Sequence, residues 1–248
     1  MLQNIVAVAI RTIRHNDRSS ILTAWSPTLG RISLIMRDGK GTESRRRRAL
    51  TMPFSIFEVV VDIRQRNELL MAHEIKIGTS HNKQIDITSH PVRTSLAFFC
   101  AEVLNVLTRE GEMDPAIWNI IIDTSIIIST EKGTGLSNLP MLYLLRFASI
   151  MGIEPEISQW QPGLGLDLIE GVFRSTKAFH NHWLSPNETK LAVTLAKCAH
   201  TYSHFNLIRL PRNVRNDILD MIISYFSLHH YPLDRLKSLG ILKTVFSA

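Results

Sequence analysis

Apolar and polar residues alternate along five short segments within the first eighty residues. The segments are NIVAVAIRTI, SSILTAWS, GRISLIMR, PFSIFEVVVDI and ELLMAHEIKI, and several are rich in β-branched residues. Turn-prone stretches separate them, namely HNDR, SPTLG, a glycine–arginine stretch and RQRN. A period of two that is interrupted by turn residues predicts β-strands. Five short strands with no predicted helix among them indicate a small closed β-barrel.

The hydrophobic period becomes helical from Pro91 onward, after the connector HNKQIDITSH. In VRTSLAFFCAEVLNVLTREG the apolar residues recur every three or four positions, which predicts an amphipathic helix. Its apolar face consists of Leu96, Phe99, Cys100, Val103, Leu104 and Leu107. PRNVRNDILDMIISYFSLHH is also amphipathic, and DRLKSLGILKTVF predicts a short final helix.

Capping residues mark the starts of three further helices. Asp114 followed by Pro115 predicts a helix start in MDPAIWNIIIDTSIII, because aspartate caps a helix and proline suits its first position. SNLPMLYLLRFASIMGIEP repeats this arrangement and is predicted to end at Gly152. Ser185 and Glu188 have the spacing of a capping box in SPNETKLAVTLAKCAH.

These elements predict an α+β chain of two domains. A β-barrel domain occupies residues 1–80, and an all-α helical C-terminal domain occupies residues 81–248. The chain of 248 residues, 45% of them hydrophobic, is long enough for one large core or two modest ones. Its two cysteines, Cys100 and Cys198, are far apart, which argues for a reducing compartment and against a disulfide scaffold or a four-cysteine zinc site.

The net charge of +6 is concentrated in the barrel domain. Residues 1–80 carry 13 Lys/Arg against 7 Asp/Glu, whereas residues 81–248 carry 15 of each sign. Residues 11–48 contain ten basic and three acidic side chains. Positive charge concentrated in the first third of the chain implies a polyanionic partner for that part, with nucleic acid favoured over an anionic membrane surface.

The stretch RDGKGTESRRRRAL holds four adjacent arginines between the third and fourth strands. A solubilising hairpin tip and a nuclear localisation patch are the alternatives to a binding role. Arginine forks bind phosphate oxygens bidentately, and each contact releases condensed counterions. Because Gly39 and Gly41 leave the backbone mobile, we expect Lys40–Arg47 to form a loop that is disordered until it binds nucleic acid.

Other chemistry receives little support from the sequence. His180, His182, Cys198, His200 and His204 lie near one another, the last two histidines at a spacing that zinc uses on a helix, but they fit no common zinc module. Phosphate-binding loops, nucleophile elbows and a complete dinucleotide fingerprint are missing from the sequence. We therefore expect a non-enzyme without cofactor or metal.

Aromatic residues of the barrel domain have two interpretations. Trp25, Phe54 and Phe57 could stack on bases, but at alternating strand positions such residues are more often core.

The N-terminal apolar run is predicted to be a strand and not a signal peptide, since it has no basic leader and no small-residue cleavage site. WNIIIDTSIIIST is too short and too polar to cross a bilayer. The expected location is therefore the cytoplasm, with no membrane contact.

The order of these features resembles the bacterial recombination mediator RecO, and in detail its Bacteroidetes members. The opening strand, a polar turn with Asp17, Gly30–Arg31, the glycine/basic loop, Pro53 and the closing HEIK follow that family's order. LPMLYLLRFASIMGIEP and YFSLHHYPLDRLKSLGILKTVF extend the resemblance to nearly the whole chain.

The resemblance implies an OB-fold (oligonucleotide-binding) barrel, a helical C-terminal domain and a role in recombinational DNA repair. It further implies binding of single- and double-stranded DNA, strand annealing, engagement of the acidic tail of the single-stranded-DNA-binding protein, and loading of RecA together with RecR. The DNA contacts carry over to Arg31, Arg37, Lys40, Arg45, Arg46, Arg47 and Arg48. Tail binding is expected beside Arg146, although Tyr143 and Leu144 stand where basic residues would be sought.

One departure concerns zinc, because some relatives hold a four-cysteine module that two cysteines cannot form. Two other functions remain open: an RNA-associated OB-fold protein, and a scaffold whose basic loop grips an acidic partner.

Overall fold

The computed structural model describes residues 1–63, 69–78, 90–202 and 204–246. It divides into two compact units, the first formed by residues 1–129 and 238–245 and the second by residues 130–237 and 246–248. The predicted domain boundary at residue 80, the RQRN turn and most of the HNKQIDITSH connector lie outside the described residues. The domain boundary therefore stays a prediction.

The five predicted strands of the first unit are confirmed, and they close into a barrel. They are β1 (Leu2–Asn16), β2 (Ser19–Ser26), β3 (Gly30–Arg37), β4 (Ile56–Asp62) and β5 (Leu69–Ile77). The order around the barrel is β1-β2-β3-β5-β4, with β3 and β5 parallel and every other pair antiparallel. The long strand β1 pairs with β4 through its first half and with β2 through its second half, and this allows the sheet to close.

Alternate residues of each strand form the barrel core. Leu22, Leu34, Phe57 and Val59 are fully buried there, in agreement with the period of two along the chain. Helix α2 (Pro91–Leu107) packs against β1 of the barrel, and α3 (Pro115–Thr130) follows it in the chain. The ring of Trp25 on β2 stacks on that of Trp118 on α3, with ring centroids 6.2 Å apart.

The predicted cap of α3 is confirmed, because the carboxylate of Asp114 accepts the backbone N–H of Ala116 at 2.8 Å. All six residues of the predicted apolar face of α2 are buried. The last helix, α7 (Ser238–Val245), packs on α2 within the first unit. There the Ser238 backbone N–H and hydroxyl both donate to the Glu102 carboxylate, at 2.8 and 2.6 Å.

The second unit is built from α4 (Thr134–Ile150), α5 (Pro186–Thr201) and α6 (Arg212–Leu228). The capping box of Ser185 and Glu188 at the start of α5 is confirmed. The predicted start of α4 is wrong, because the helix begins at Thr134 and Pro140 lies inside it. Its predicted end is close to the observed one: α4 ends at Ile150 and Gly152 follows with a φ of +69°.

A small sheet accompanies these helices, so the second half is helical with one β addition that the sequence did not predict. Its strands are β6 (Gly165–Asp167), β7 (Val172–Arg174) and β8 (Trp183–Leu184), in the order β7-β6-β8. The buried carboxylate of Asp167 fixes the sheet by accepting two backbone N–H groups and pairing with Arg174 at 3.5 Å.

Candidate nucleic-acid interface

The arginine tract is helical, which corrects the prediction of a flexible loop. Residues Thr42–Leu50 form α1, between β3 and β4. Arginine is a good helix former, Glu43 lies in the first turn, and Arg47 and Arg48 lie in the last turn, where positive charge suits the helix dipole. Leu50, at the end of α1, is buried in the barrel core, so the helix is anchored to the barrel.

Four consecutive helical residues point in four directions, and the buried Leu50 fixes which of the arginines lie on the opposite side of the helix. At about 100° per residue, Arg45 and Arg48 lie roughly 140–160° from Leu50 around the helix axis. Both are exposed. Arg46 and Arg47 lie nearer the anchored side, and each approaches the Glu43 carboxylate to 3.9 Å.

Chain topology brings further basic residues to the end of the barrel that carries α1. The Arg47 guanidinium donates to the Arg37 carbonyl at 3.2 Å, and the Asp38 N–H donates to the Arg18 carbonyl at 2.8 Å. The β1–β2 turn therefore lies beside the end of β3. We call this surface the basic end; it comprises Arg14, Arg18, Arg37, Lys40, Arg45, Arg46, Arg47 and Arg48.

Most of this charge is not neutralised within the protein. Asp17 pairs with Arg14 at 2.5 Å, and Glu43 lies near Arg46 and Arg47. In the part of the chain that the structure describes, no carboxylate lies within 4 Å of the charged groups of five members: Arg18, Arg37, Lys40, Arg45 and Arg48.

Arg31 lies away from the basic end. It is six residues before Arg37 on β3, a distance of roughly 20 Å at 3.3 Å per residue. Its guanidinium donates to the carbonyl of Asn105 on α2 at 2.9 Å. Six of the seven predicted DNA-contacting residues are thus gathered at one place, and Arg31 is separate and holds a helix of its own unit.

An apolar row crosses the outer surface of the barrel next to the basic end. Ile13, Ile21, Ile35 and Met71 are direct cross-strand partners on β1, β2, β3 and β5. Ile13 is 48% exposed and Met71 is 40% exposed, whereas Ile21 and Ile35 are half-buried. We call these four residues the barrel row.

Arginines flank the barrel row. Arg37 follows Ile35 by two residues on β3, and Arg11 precedes Ile13 by two residues on β1; both arginines are exposed. Sequence reasoning missed Arg11, Arg14, Arg18 and the barrel row. The residues of the barrel row and Arg11 occupy outward-facing strand positions. Which of these positions lie side by side follows only from the strand register.

The three aromatic side chains considered for base stacking belong to the interior. Trp25, Phe54 and Phe57 are each 0% exposed. The core interpretation is therefore the right one for them.

The histidines of the second unit do not assemble as their spacing suggested. α5 ends at Thr201 and His204 has a φ of +61°, so His200 and His204 do not share a helix face. His200 instead pairs with Glu154 at 2.8 Å, and His180 pairs with Asp167 at 3.3 Å. Among the described ranges, no group of three or more His, Cys, Asp or Glu side chains could hold a metal ion.

Arg146, the residue considered for partner binding, lies on α4 beside an apolar groove of the second unit. Its guanidinium stands 4.1 Å above the ring of Tyr202, while the preceding residue, Leu145, lines the groove. The groove has a volume of about 550 Å³ counted to its open mouth, and its walls include Leu166, Phe173, Val193, Met221 and Phe226.

Tyr225 forms one wall of this groove. Burial, together with the nearby Glu154 carboxylate, raises the pKa of its phenol well above the usual range. Its hydroxyl donates to the Ile153 carbonyl. The groove is therefore lined mainly by apolar side chains, with Glu154 also among its lining residues.

No helix of the described residues is both long enough and apolar enough to cross a membrane.

Known proteins match this chain in two ways, through its N-terminal barrel segment and over nearly its whole length. Residues 1–80 match the family model described as "Recombination protein O N terminal". The chain is 28% identical to the DNA repair protein RecO of Phocaeicola vulgatus, and the alignment covers all of both chains. It is 27% identical to RecO of Porphyromonas gingivalis W83 over 97% of each chain, and 24% identical to RecO of Flavobacterium psychrophilum over 97% of this chain and 98% of that one.

The family model and the relatives overlap in the barrel, and the relatives also match the rest of the chain. The family model covers the segment that forms the closed five-stranded barrel, and the relatives extend through the helices of both units to the end of the alignment. Residues 1–80 thus match the N-terminal domain of RecO proteins, and the chain is similar over nearly its whole length to proteins named DNA repair protein RecO.

Proposed function

We propose that this chain is a non-enzymatic DNA-repair mediator that binds single- and double-stranded DNA and anneals complementary strands. The observation that carries the proposal is the basic end, where five cationic groups lack a neighbouring carboxylate among the residues the structure describes. A cationic group with no carboxylate beside it can bind a phosphate without first giving up an internal ion pair.

Annealing would follow from charge neutralisation. Two strands repel each other through their phosphates, and a basic surface that holds both lowers the repulsion without chemistry at any bond. Binding through phosphates carries no sequence information, as a repair mediator requires.

The barrel row gives the proposed site a way to favour unpaired strands. Bases of a single strand can lie against Ile13, Ile21, Ile35 and Met71 while the phosphates meet Arg11 and Arg37. In a duplex the base faces are stacked inside, so the row has nothing to contact.

We expect the double variant Ile13→Gln and Met71→Gln to weaken binding of single-stranded DNA about five- to thirtyfold. The reason is the loss of about 1–2 kcal/mol of apolar burial by two side chains. Duplex affinity should change less than twofold. Fluorescence anisotropy with a labelled oligonucleotide, single-stranded or annealed to its complement, measures both affinities.

Met113→Gln and Ile241→Gln form the matched control, because both residues are more than half exposed and lie on the same unit outside the barrel. Equal losses for single strands and duplex would contradict a base-contacting role of the row.

Protein partners are part of the proposal. With RecR, the chain would help load RecA on DNA covered by the single-stranded-DNA-binding protein, at the nucleoid in the cytoplasm. The acidic, hydrophobic tail of that protein would dock in the second unit, with its apolar side chains in the groove and its acidic groups towards Arg146. The apolar walls of the groove support this assignment.

Annealing of complementary oligonucleotides coated with single-stranded-DNA-binding protein tests the proposed function. We expect the chain to accelerate annealing when the coating protein has its acidic tail, and to lose most of the acceleration when the tail is removed. Salt-sensitive binding of bare DNA should remain in both cases. Absence of DNA binding with retained capture of a partner would favour the scaffold instead.

The RNA-associated alternative is separated by competition. Matched single-stranded DNA and RNA of one sequence are titrated against each other on the same protein. A preference for RNA of tenfold or more would displace DNA repair as the function.

A further inference from the structure

A second cluster of arginines, in the second unit, has no role in the function proposed so far. We call Arg209, Arg212 and Arg215 the arginine cluster; Arg209 and Arg212 are exposed and Arg215 is half-buried. Arg212 and Arg215 lie one turn apart at the start of α6, and Arg209 precedes the helix by three residues.

The position of the cluster is electrostatically unfavourable for the folded chain. The start of a helix carries partial positive charge, and a cation there costs about 0.3–1 kcal/mol. The first turn of α6 holds no acidic residue, and Pro211 provides no side-chain cap. The backbone N–H groups of this turn therefore add to the positive field of the arginines.

The cluster also lacks internal compensation. Among residues 1–63, 69–78, 90–202 and 204–246, no carboxylate lies within 4 Å of its guanidinium groups. Burial, and then the charge of Arg212, lowers the pKa of Arg215. Arg215 otherwise rests 5.8 Å from the ring centroid of Phe246. Like charges held together without a counter-ion indicate a surface suited to an external polyanion.

We propose that the arginine cluster is a second binding site for the phosphate backbone of a nucleic-acid strand. The inference rests on the proposed function, since annealing needs a second strand to be held. A strand fits better than an acidic peptide because none of the three arginines lines the apolar groove, where apolar side chains of a peptide would anchor. Leu207, 69% exposed and two residues before Arg209, gives an unpaired base an apolar contact.

Capture of a second strand tests this site. The full chain is bound to beads carrying one biotinylated oligonucleotide, and a labelled, non-complementary oligonucleotide is then added, so that base pairing cannot retain it. The wild type should capture the second strand. R209Q/R212Q should lower this capture about tenfold, and the slope of its logarithm against the logarithm of salt should fall by about 1.4 for two lost contacts.

The variant is expected to fold, because glutamine is a good helix former and the substitution removes charge that opposes the helix dipole. Its midpoint of thermal unfolding should be unchanged or higher, and its affinity for the first strand unchanged. K177Q/K190Q is the matched control: it removes two exposed charges from the same unit and should leave capture intact.

Two results would overturn the second site: first-strand binding by the wild type with no second-strand capture, or unchanged capture by R209Q/R212Q. If that variant kept its capture but lost binding to an Asp/Glu-rich peptide, the cluster would be assigned to an acidic protein instead. Failure of the wild type to bind even the first strand would overturn the proposed function, and the second site with it.

Discussion

Replacement of Arg45 and Arg48 by glutamine is expected to weaken DNA binding about ten- to a hundredfold at low salt, for every sequence alike. These two arginines face away from Leu50, the residue that anchors α1, and no carboxylate lies within 4 Å of them among the described residues. Each lost phosphate contact should lower the log–log salt slope by about 0.7 on single strands and about 0.9 on duplex. Titrations at several salt concentrations measure both quantities.

The matched control is Arg46→Gln with Arg47→Gln, which removes the same charge from the same helix. These residues share Glu43, and Arg47 also holds the Arg37 carbonyl, so their forks are partly occupied. We expect the logarithm of the affinity to fall by less than a third as much in this variant as in the Arg45/Arg48 variant. Serine at all four positions should flatten the salt slope further, and an unchanged slope in that variant would exclude α1 as a DNA contact.

Gly30→Ala is expected to destabilise the first unit by about 2–5 kcal/mol. Gly30 begins β3 with a φ of +68°, and a Cβ atom there would stand 2.6 Å from the Glu112 carbonyl oxygen and 2.7 Å from the Glu112 nitrogen. Both obstacles are backbone atoms, which no side-chain rotation can move away. Backbone strain and overpacking therefore add at this position.

Gly111→Ala separates the two causes. Gly111 has a φ of +70°, but nothing lies within 4 Å of a Cβ built on it, so this variant carries the strain without the clash. We expect it to cost about 1–2 kcal/mol. Amide hydrogen exchange of barrel peptides, followed by mass spectrometry, reports the stability of this unit separately. Equal losses of unfolding free energy in the two variants would show that the close approach of the Glu112 backbone to Gly30 does not contribute to the destabilisation.

Strands and capped helices could be predicted because their signals are local. The alternation of residues 2–16 and 19–26 requires only that one face be buried, and Asp114 or Ser185 acts on N–H groups two or three residues away. The strands of the small sheet in the second unit have two or three residues each, too few for any period to be visible.

The errors arose where a familiar residue type suggested the wrong context. Pro140 looked like a first helical position, but α4 accommodates it in the interior, where it is buried. Glycines and repeated charge suggested a loop at residues 39–48, yet arginine propensity and the anchor Leu50 produce a helix.

The candidate site could be predicted only in part, because some of its residues are brought together by the strand topology and not by closeness in sequence. Six of its arginines and lysines are near one another in sequence, so they were found together. Arg14 and Arg18 join them because β1 and β2 turn at the same end of the barrel at which β3 finishes, and this depends on topology. Arg31 is on the same strand as Arg37, but at the opposite end.

The return of α7 to the first unit has a consequence for synthesis on the ribosome. The barrel and α2 emerge early, but the α2 surface that packs on α7 must wait until residues 238–245 have been made. At roughly 5–20 residues per second, the chain between α2 and α7 takes on the order of ten seconds to translate. During that interval residues 130–237 of the second unit can fold while the first unit is still incomplete, and Glu102 has yet to receive the N–H and hydroxyl of Ser238.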